Sequence, residues 1–459
     1  MKKDKAAMVP LSTSTSLVLT PEALYQHFFS QRNGWGNQKG KKAKEESYLL
    51  AYSGGLDSHV LLHLLVAIRK ENPHIRLRSV YVDHGLQEAS STWADHCQQI
   101  AHSLAVEHDS IALNLAIPKG ESLEAVARKA RYQALAGYLL EGEVLLTAQH
   151  QDDQAETLLL QLLRGSGLDG LAAMPEESPF VQSYHMRPLL AYSREQLEQY
   201  ANEHALKPIQ DPSNADNRFD RNYLRNEIIP ELKKRWPQMA LTLSRSARLH
   251  AEASQLQATY LDVEMPKLRG STNKEDTLSV KAIKQLSPIK QKAVLRHWIK
   301  QSGFKAPSAA QIEHIIHDVL NSALDAMPLV AWEGAEIRRY KDDVYIMYPL
   351  ASLPADARWE WDISQPLFID KSVADLDPAD LGELRDILLE KSTPVTVRFR
   401  QGGERIKLSK HEHSTTLKNL FQERNIPPWL RNRIPLVFAK NQLIYIPDMA
   451  ITGVKDLAP

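Results

Sequence analysis

The sequence predicts an α/β protein: a Rossmann-like parallel sheet with a phosphate-binding loop, then a helical domain, then a mixed α+β C-terminal region. Three observations lead there. Short apolar runs alternate with helix-period segments four times between residues 47 and 165. A glycine-rich turn, "SGGLDS" (53–58), separates the first run from the first helical segment. From about residue 210 the alternation gives way to helix formers, and beyond 326 to short strands.

The elements follow in order. "SYLLAY" (47–52) suits a buried strand and "SHVLLHLLVAIRK" (58–70) a helix. "LRSVYVDH" (77–84) reads as a strand, "STWADHCQQIAHSLA" (91–105) as a helix and "VEHDSIAL" (106–113) as a strand. "ESLEAVARKARYQALAGYLLE" (121–141) is a helix, "EVLLTAQH" (143–150) a strand and "DDQAETLLLQLLRG" (152–165) a helix. Ligands of such sheets sit beyond the carboxyl ends of the strands, where the polar stretches 53–58, 83–86 and 148–153 fall. The expected organisation is an N-terminal extension and flexible loop (1–46), a nucleotide-binding domain (47–215), a helical domain (216–325) and a mixed C-terminal region (326–459).

Composition excludes several classes. No apolar run reaches the ~18 residues of a membrane span, and the basic N-terminus lacks the apolar core of a signal peptide. A lone cysteine, Cys97, rules out an intrachain disulfide framework, a multi-cysteine zinc site and a redox pair. The expected compartment is the cytoplasm. Cys97 lies in a helical pattern and reads as a core thiol. The formal charge is zero but unevenly spread: residues 351–390 hold three basic and ten acidic residues, 391–440 eleven basic and three acidic. That swing, with Phe399, Phe421 and Trp429 inside the basic stretch, points to a nucleic-acid footprint of phosphate contacts and base stacking.

In "SGGLDS", glycines allow close backbone approach, a helix N-terminus offers free N–H groups to phosphate, and Ser53 and Ser58 add hydroxyls. The loop is not the lysine-bearing kind that reaches β- and γ-phosphates. Asp57 holds the comparable place, and an acid beside polyphosphate calls for a cation between them, for which Mg²⁺ fits.

This Ser-Gly-Gly-x-Asp-Ser signature resembles the PP-loop, or N-type ATP pyrophosphatase, family, which splits ATP between the α- and β-phosphates. "YVDHGL" (81–86), "GESLEAVARKARY" (120–132), "TAQHQDDQAET" (147–157), "LLRG" (162–165), "QDPSNADNRFDRNYLRNEIIP" (210–230), "FRQGGERI" (399–406) and "IPPWLRNRIPLVF" (426–438) follow in order. Together they resemble the bacterial tRNA(Ile)-lysidine synthetase family from about residue 47 to 453.

The resemblance implies ATP and Mg²⁺, a tRNA(Ile) with a CAU anticodon, and free L-lysine. The wobble cytidine is adenylated, the lysine ε-amine attacks its carbon 2, and AMP leaves. Relatives suggest a monomer or a homodimer. ATP would be bound by Ser53, Gly54, Gly55, Leu56, Asp57 and Ser58, with Asp57 also the Mg²⁺ ligand.

Asp152, Asp153 and Glu156 gather on one helical turn. Such acids serve helix dipoles, hold Mg²⁺, orient an ammonium or accept its proton; the family match favours Asp153 and Glu156 as catalytic residues. Relatives often carry a histidine where this chain has Gln149, leaving His150 as the histidine candidate. Arg128 and Arg131 share a helix face, where one guanidinium would neutralise the α-phosphate or the tRNA backbone; Arg128 is taken as catalytic, though the sequence does not choose between them. Arg218, Arg221 and Arg225 are spaced as one helical stripe and are expected, with Arg400, Arg405, Arg431 and Arg433, to meet tRNA phosphates. Asp216 and Asp220 would be the stripe's intramolecular alternative.

Two other readings exist. A tRNA thiolase would need paired cysteines, which this chain lacks. A non-catalytic tRNA-binding protein would have no use for Asp57, Asp153 and Glu156 together.

Overall fold

The computed structural model describes residues 18–30, 46–85, 90–113, 115, 123–270, 277–323, 326–354, 356–370, 373, 375–406 and 415–451. Most of the expected N-terminal extension and loop, together with Leu86, lies outside these residues. The chain divides into two compact units, Met1–Gln257 and Ala258–Pro459.

In the first unit, α1 (Pro21–Leu24) runs into a π-type turn (Tyr25–Phe29). The predicted alternation follows: β1 (Glu46–Ala51), α2 (Leu56–Glu71), β2 (Ile75–Asp83), α3 (Ser90–Ser103), β3 (Glu107–Ala112), α4 (Leu123–Tyr138), β4 (Val144–Leu146) and α5 (Gln151–Leu163). After α6 (Leu168–Leu171), β5 (Glu177–Phe180) and β6 (Ser183–Met186) form a hairpin, and α7 spans Arg194–Glu203.

The sheet order is β3-β2-β1-β4-β6-β5. All neighbours pair in parallel except β5 with β6. Successive strand residues face opposite sides. Leu50 therefore joins the core formed with Leu61, Leu65, Cys97, Leu197 and Tyr200, which puts α2, α3 and α7 on one face. Leu49 turns to the other side and packs with Val80, Leu135 and Leu145, covered by α4. Cys97 is fully buried, as its helical context predicts, and burial pushes its thiol up to about 12.

Residues 216–257 pack on this sheet domain rather than starting a separate helical one. α8 (Asp220–Tyr223), a π-type turn (Leu224–Ile228), α9 (Ile229–Arg235) and the first turns of α10 (Met239–Glu264) lie against α5. Ala155 and Leu159 of α5 meet Ile229, Leu232, Met239, Ala240 and Leu243. The expected boundary at 215/216 thus falls inside the first unit, because the helices after 216 supply the apolar cover of Ala155 and Leu159.

Among its described residues, the second unit gathers its apolar side chains around two main sheets. β7 (Thr277–Ser279), α11 (Val280–Lys284), α12 (Pro288–Gln301), α13 (Ala309–His314), β8 (Leu329–Trp332), β9 (Ala335–Tyr340) and β10 (Asp343–Met347) make up the first and its helices, with sheet order β7-β10-β9-β8. β7 pairs with β10, so the expected boundary at 325/326 cuts through one sheet. The second is the sheet β11-β12-β15-β16-β17, and its region comprises β11 (Arg358–Glu360), α14 (Glu383–Glu390), β12 (Val395–Arg398), the pair β13 (Arg405–Ile406) and β14 (Thr415–Thr416), α15 (Leu417–Glu423), α16 (Pro428–Arg431), β15 (Leu436–Ala439), β16 (Gln442–Ile446) and β17 (Ala450–Ile451).

One glycine fixes the β1–α2 turn. Gly54 has φ +75°, and an added Cβ would sit 2.4 Å from Ile209 Cδ1 and 2.9 Å from Cys97 Sγ. The Ile209 amide donates to the Gly54 carbonyl at 2.9 Å, so residue 209 is held close against the loop. Gly54→Ala is expected to cost about 1–3 kcal/mol through backbone strain, read as an earlier unfolding midpoint in urea. A midpoint equal to the parent would show that the turn relaxes freely.

Candidate active site

The carboxyl ends of β1 and β4 open onto a cavity of about 310 Å³. Ser53, Gly55, Asp57 and Ser58 form one wall, Arg128 and Arg131 another, and Asp153, Arg221 and Arg225 a third. Gln149 and Asn222 also reach it. Stretches more than 160 residues apart in sequence thus meet at the switch between β1 and β4, the usual ligand position in such sheets.

The loop is pre-shaped by its serines. Ser58 Oγ donates to the Gly55 carbonyl at 3.0 Å, accepts the Ser53 amide at 3.2 Å and lies 3.1 Å from Ser53 Oγ. Gly55 caps α2 with extended backbone and no side-chain hydrogen bond. The first N–H groups of α2 are therefore free for an anion. Leu56 opens the helix beside Asp57.

Asp57 is already paired within the protein. Arg194 Nη1 lies 2.9 and 3.2 Å from its two carboxylate oxygens, and His150 Nε2 lies 3.7 Å from Oδ1. Burial opposes its charge, but His150 and Arg194 outweigh that and hold its carboxyl below the ordinary value. Among the described residues no three histidine, cysteine or acidic side chains cluster to make a metal cage. Mg²⁺ commonly takes only one or two protein carboxylates plus phosphate oxygens, so Asp57 fits in kind, provided it shares an oxygen now facing Arg194.

The start of α5 forms the acidic wall. His150 caps the helix: its Nδ1 accepts the Asp152 amide at 3.2 Å, while Asp153 Oδ2 accepts the His150 amide at 3.1 Å. His150 is 2% exposed and does not line the cavity. Burial disfavours its charged form, yet Asp153, Asp57 and Asp152 prevail and raise its pKa. Its place is between the carboxylates, orienting them, and not facing the cavity. Asp152 turns away to Lys233 Nζ at 2.5 Å and the Arg194 amide at 2.9 Å.

Arg221 and Arg225 differ most from expectation. They point at α5 and are half-buried along the cavity wall. Arg225 Nη2 reaches Asp153 Oδ1 at 2.6 Å and its Nε reaches Glu156 Oε1 at 2.6 Å; Arg221 Nε reaches Glu156 Oε2 at 2.9 Å. Glu156 is 1% exposed, so its charge is matched by two guanidinia at close range. The expected stripe dissolves: Arg218 precedes α8, is highly exposed and pairs with Asp216 at 2.7 Å.

Arg128 and Arg131 flank the Tyr132 ring at 5.2 and 5.3 Å. Burial lowers the Arg131 pKa, whereas Arg128 is the exposed member of the pair. Neither forms a salt bridge among the described residues. Both are thus open to an anion, and the structure leaves the sequence's choice between them undivided.

Gln149 has a support the sequence did not reveal. Arg187 Nη2 donates to His185 Nδ1 at 3.1 Å, His185 Nε2 donates to Thr147 Oγ1 at 2.7 Å, and that hydroxyl donates to the Gln149 side-chain oxygen. Burial, with Arg187 nearby, lowers the His185 pKa to about 3, so the ring is neutral and the relay has one direction. Sequence reasoning also missed Arg194 and Lys233. Arg194 had a signal, "SREQ", but only as a helix start with Ser193 and Gln196 as its capping box.

In the second unit, the arginines of the expected footprint have partners within the chain. Arg431 is 9% exposed and donates to the Ile426 carbonyl at 2.9 Å and Tyr340 Oη at 3.0 Å. Arg433 contacts the Ala351 carbonyl. Arg400 is half-buried, 4.0 Å from Glu404. Arg405 alone of the four is exposed. Phe399 and Phe421 are core residues at 2% and 0% exposure, and Trp429 packs edge-on against Tyr340 and Tyr345. The expected stacking is therefore corrected: apolar burial claims Phe399 and Phe421, and the half-buried Trp429 is packed against two tyrosines.

Three domain families match the chain: a PP-loop domain over residues 26–232, a TilS substrate binding domain over 278–345 and a TilS substrate C-terminal domain over 395–454. The second coincides with the β7–β10 sheet and the third with β12 to β17. Curated relatives named tRNA(Ile)-lysidine synthase run along nearly the whole chain. The protein of Coxiella burnetii is 38% identical over 96% of this chain and 94% of its own. That of Xanthomonas axonopodis is 40% identical over 89% and 90%, and that of Pectobacterium atrosepticum 42% over 87% and 89%. On identity of this extent, reaching across both units, the chain belongs to the tRNA(Ile)-lysidine synthase family.

Proposed function

We infer that the protein is an ATP-dependent ligase of tRNA modification, joining an amine to the wobble cytidine of tRNA(Ile) to form lysidine, with release of AMP and pyrophosphate. The observation that carries this reading is that the serine–glycine loop and the acidic start of α5 open onto one cavity.

The roles of individual residues are part of the proposal. The free N–H groups of α2, with Ser53 and Ser58, receive the ATP phosphates. Asp57 would hold Mg²⁺, which neutralises charge on the pyrophosphate. Arg128 and Arg131 face the α-phosphate and stabilise the charge that develops there. Free L-lysine is the amine, and its ammonium is drawn to Asp153 and Glu156 in competition with Arg221 and Arg225. Lysine must lose its proton to attack carbon 2 of the base, and a carboxylate at the start of α5 would accept it. A CAU-anticodon tRNA is the nucleic-acid substrate.

Thiolation is disfavoured by the same structure. Its one thiol, Cys97, is buried in the core with a pKa of about 12 and is no sulfur carrier.

The test is direct. Incubation with Mg-ATP, labelled lysine and a CAU-anticodon tRNA(Ile) transcript is expected to place label in the tRNA and release one AMP per lysine. AMP release without label in the tRNA would refute lysine as the amine.

A further inference from the structure

A second cleft, about 620 Å³, lies beside the candidate active site. Leu159, Leu232, Trp236, Pro237 and Leu243 supply its apolar walls, with Arg235 at its edge. Trp236 is 59% exposed, although an indole is among the most favourable side chains to bury. No carboxylate lines the cleft. Arg235, and Arg245 three residues after the lining Thr242 on α10, form no salt bridge among the described residues. Two of the three cleft-forming helices lead to the active site: Leu159 is one turn beyond Glu156 on α5, and Lys233, next to Leu232 on α9, holds Asp152.

We propose that this cleft binds an unpaired nucleobase of the substrate tRNA, stacked on Trp236, with the neighbouring phosphates facing Arg235 and Arg245. The occupant follows from complementarity. A flat, exposed indole, with the Arg235 guanidinium in the same lining and Arg245 one turn beyond Thr242 on α10, suits a π-face attached to a phosphodiester chain, whereas an apolar protein surface would leave both guanidinia unmatched. The position suits the purpose. To react, the wobble base must leave its stack, and a neighbouring base held one helical turn from Glu156 would keep the loop open. The inference rests on the tRNA-ligating reading.

The experiment uses the full chain. Trp236→Ala is expected to raise the tRNA KM roughly tenfold, the scale of one lost base stack, with the KM values for lysine and ATP unchanged. Trp236→Phe should retain most of the affinity. Replacing the stacked anticodon-loop base by an abasic nucleotide should weaken the parent similarly and add little to Trp236→Ala, because both remove one contact. Arg235→Ala with Arg245→Ala should lower the salt dependence of binding. An unchanged tRNA KM in folded Trp236→Ala would overturn the proposal. So would a change from dimer to monomer in sedimentation with tRNA affinity intact, which would make the cleft an interface between copies. If Trp236→Ala does not fold, Trp236→Leu, which keeps bulk without an aromatic face, takes its place, and losses that add to those of the abasic nucleotide overturn the proposal. Lysine incorporation by the parent in the same assay tests the ligase reading separately.

Discussion

Asp57→Asn is expected to lower AMP release by about 10²–10³-fold, the usual loss when one preorganised charge is taken from a transition state. The carboxylate lies at the first turn of α2, within 2.9 Å of Arg194 and 3.7 Å of His150. The amide keeps the volume, so the loop built by Ser53, Gly55 and Ser58 should persist. It removes the charge that would face Mg²⁺, and leaves Arg194 and His150 with one anion fewer. The affinity for tRNA should stay within about twofold, because Asp57 faces the loop that receives phosphate. Measuring AMP formation beside filter binding of tRNA separates the two effects. Parental turnover in Asp57→Asn would remove the residue from the chemistry. An equal fall in tRNA affinity would mean that the substitution disturbs the whole site.

Glu156→Gln is expected to be the most damaging single change to the first unit. Its carboxylate is 1% exposed and meets Arg221 Nε at 2.9 Å and Arg225 Nε at 2.6 Å. Removing one partner of a buried ion pair typically costs 3–5 kcal/mol. Arg221 and Arg225 keep 24% and 35% of their side chains exposed and regain some hydration, so the loss should be about 2–3 kcal/mol. It should appear as a shift of the unfolding transition, together with loss of lysine incorporation. A double substitution, Glu156→Gln with Arg225→Gln, should cost less than the sum of the two singles. Strict additivity would show that the close pairing carries no coupling.

Much of the nucleotide half was legible in the sequence. The alternation of apolar runs and helical periods gave the parallel sheet because each strand and helix announces itself over a short window. "SGGLDS" marked its loop because glycine both favours the φ of +75° at residue 54 and leaves room for Ile209 and Cys97 there. Asp153 and Glu156 were found because three residues of helix place them on one turn.

The arginines were less legible. Sequence spacing put Arg218, Arg221 and Arg225 on one face but could not say what that face meets. Once 216–257 packs on α5 through Ala155 and Leu159, that meeting is with Asp153 and Glu156. Lys233 and the Arg187–His185 support of Thr147 carried no local signal, and Arg194 only that of a helix start, because each acts on a residue distant in the chain. The basic count of 391–440 likewise hid that Arg431 and the rings of Phe399 and Phe421 are inside.

The sequence by itself therefore determined the sheet, the phosphate loop, the acidic turn and the family, all properties of short windows read in order. Tertiary structure alone decided which charges are spent inside the molecule and which remain for a ligand. The physical reason is that a buried carboxylate takes the nearest cation that packing delivers, and packing is set by apolar stripes that the charged residues themselves do not encode.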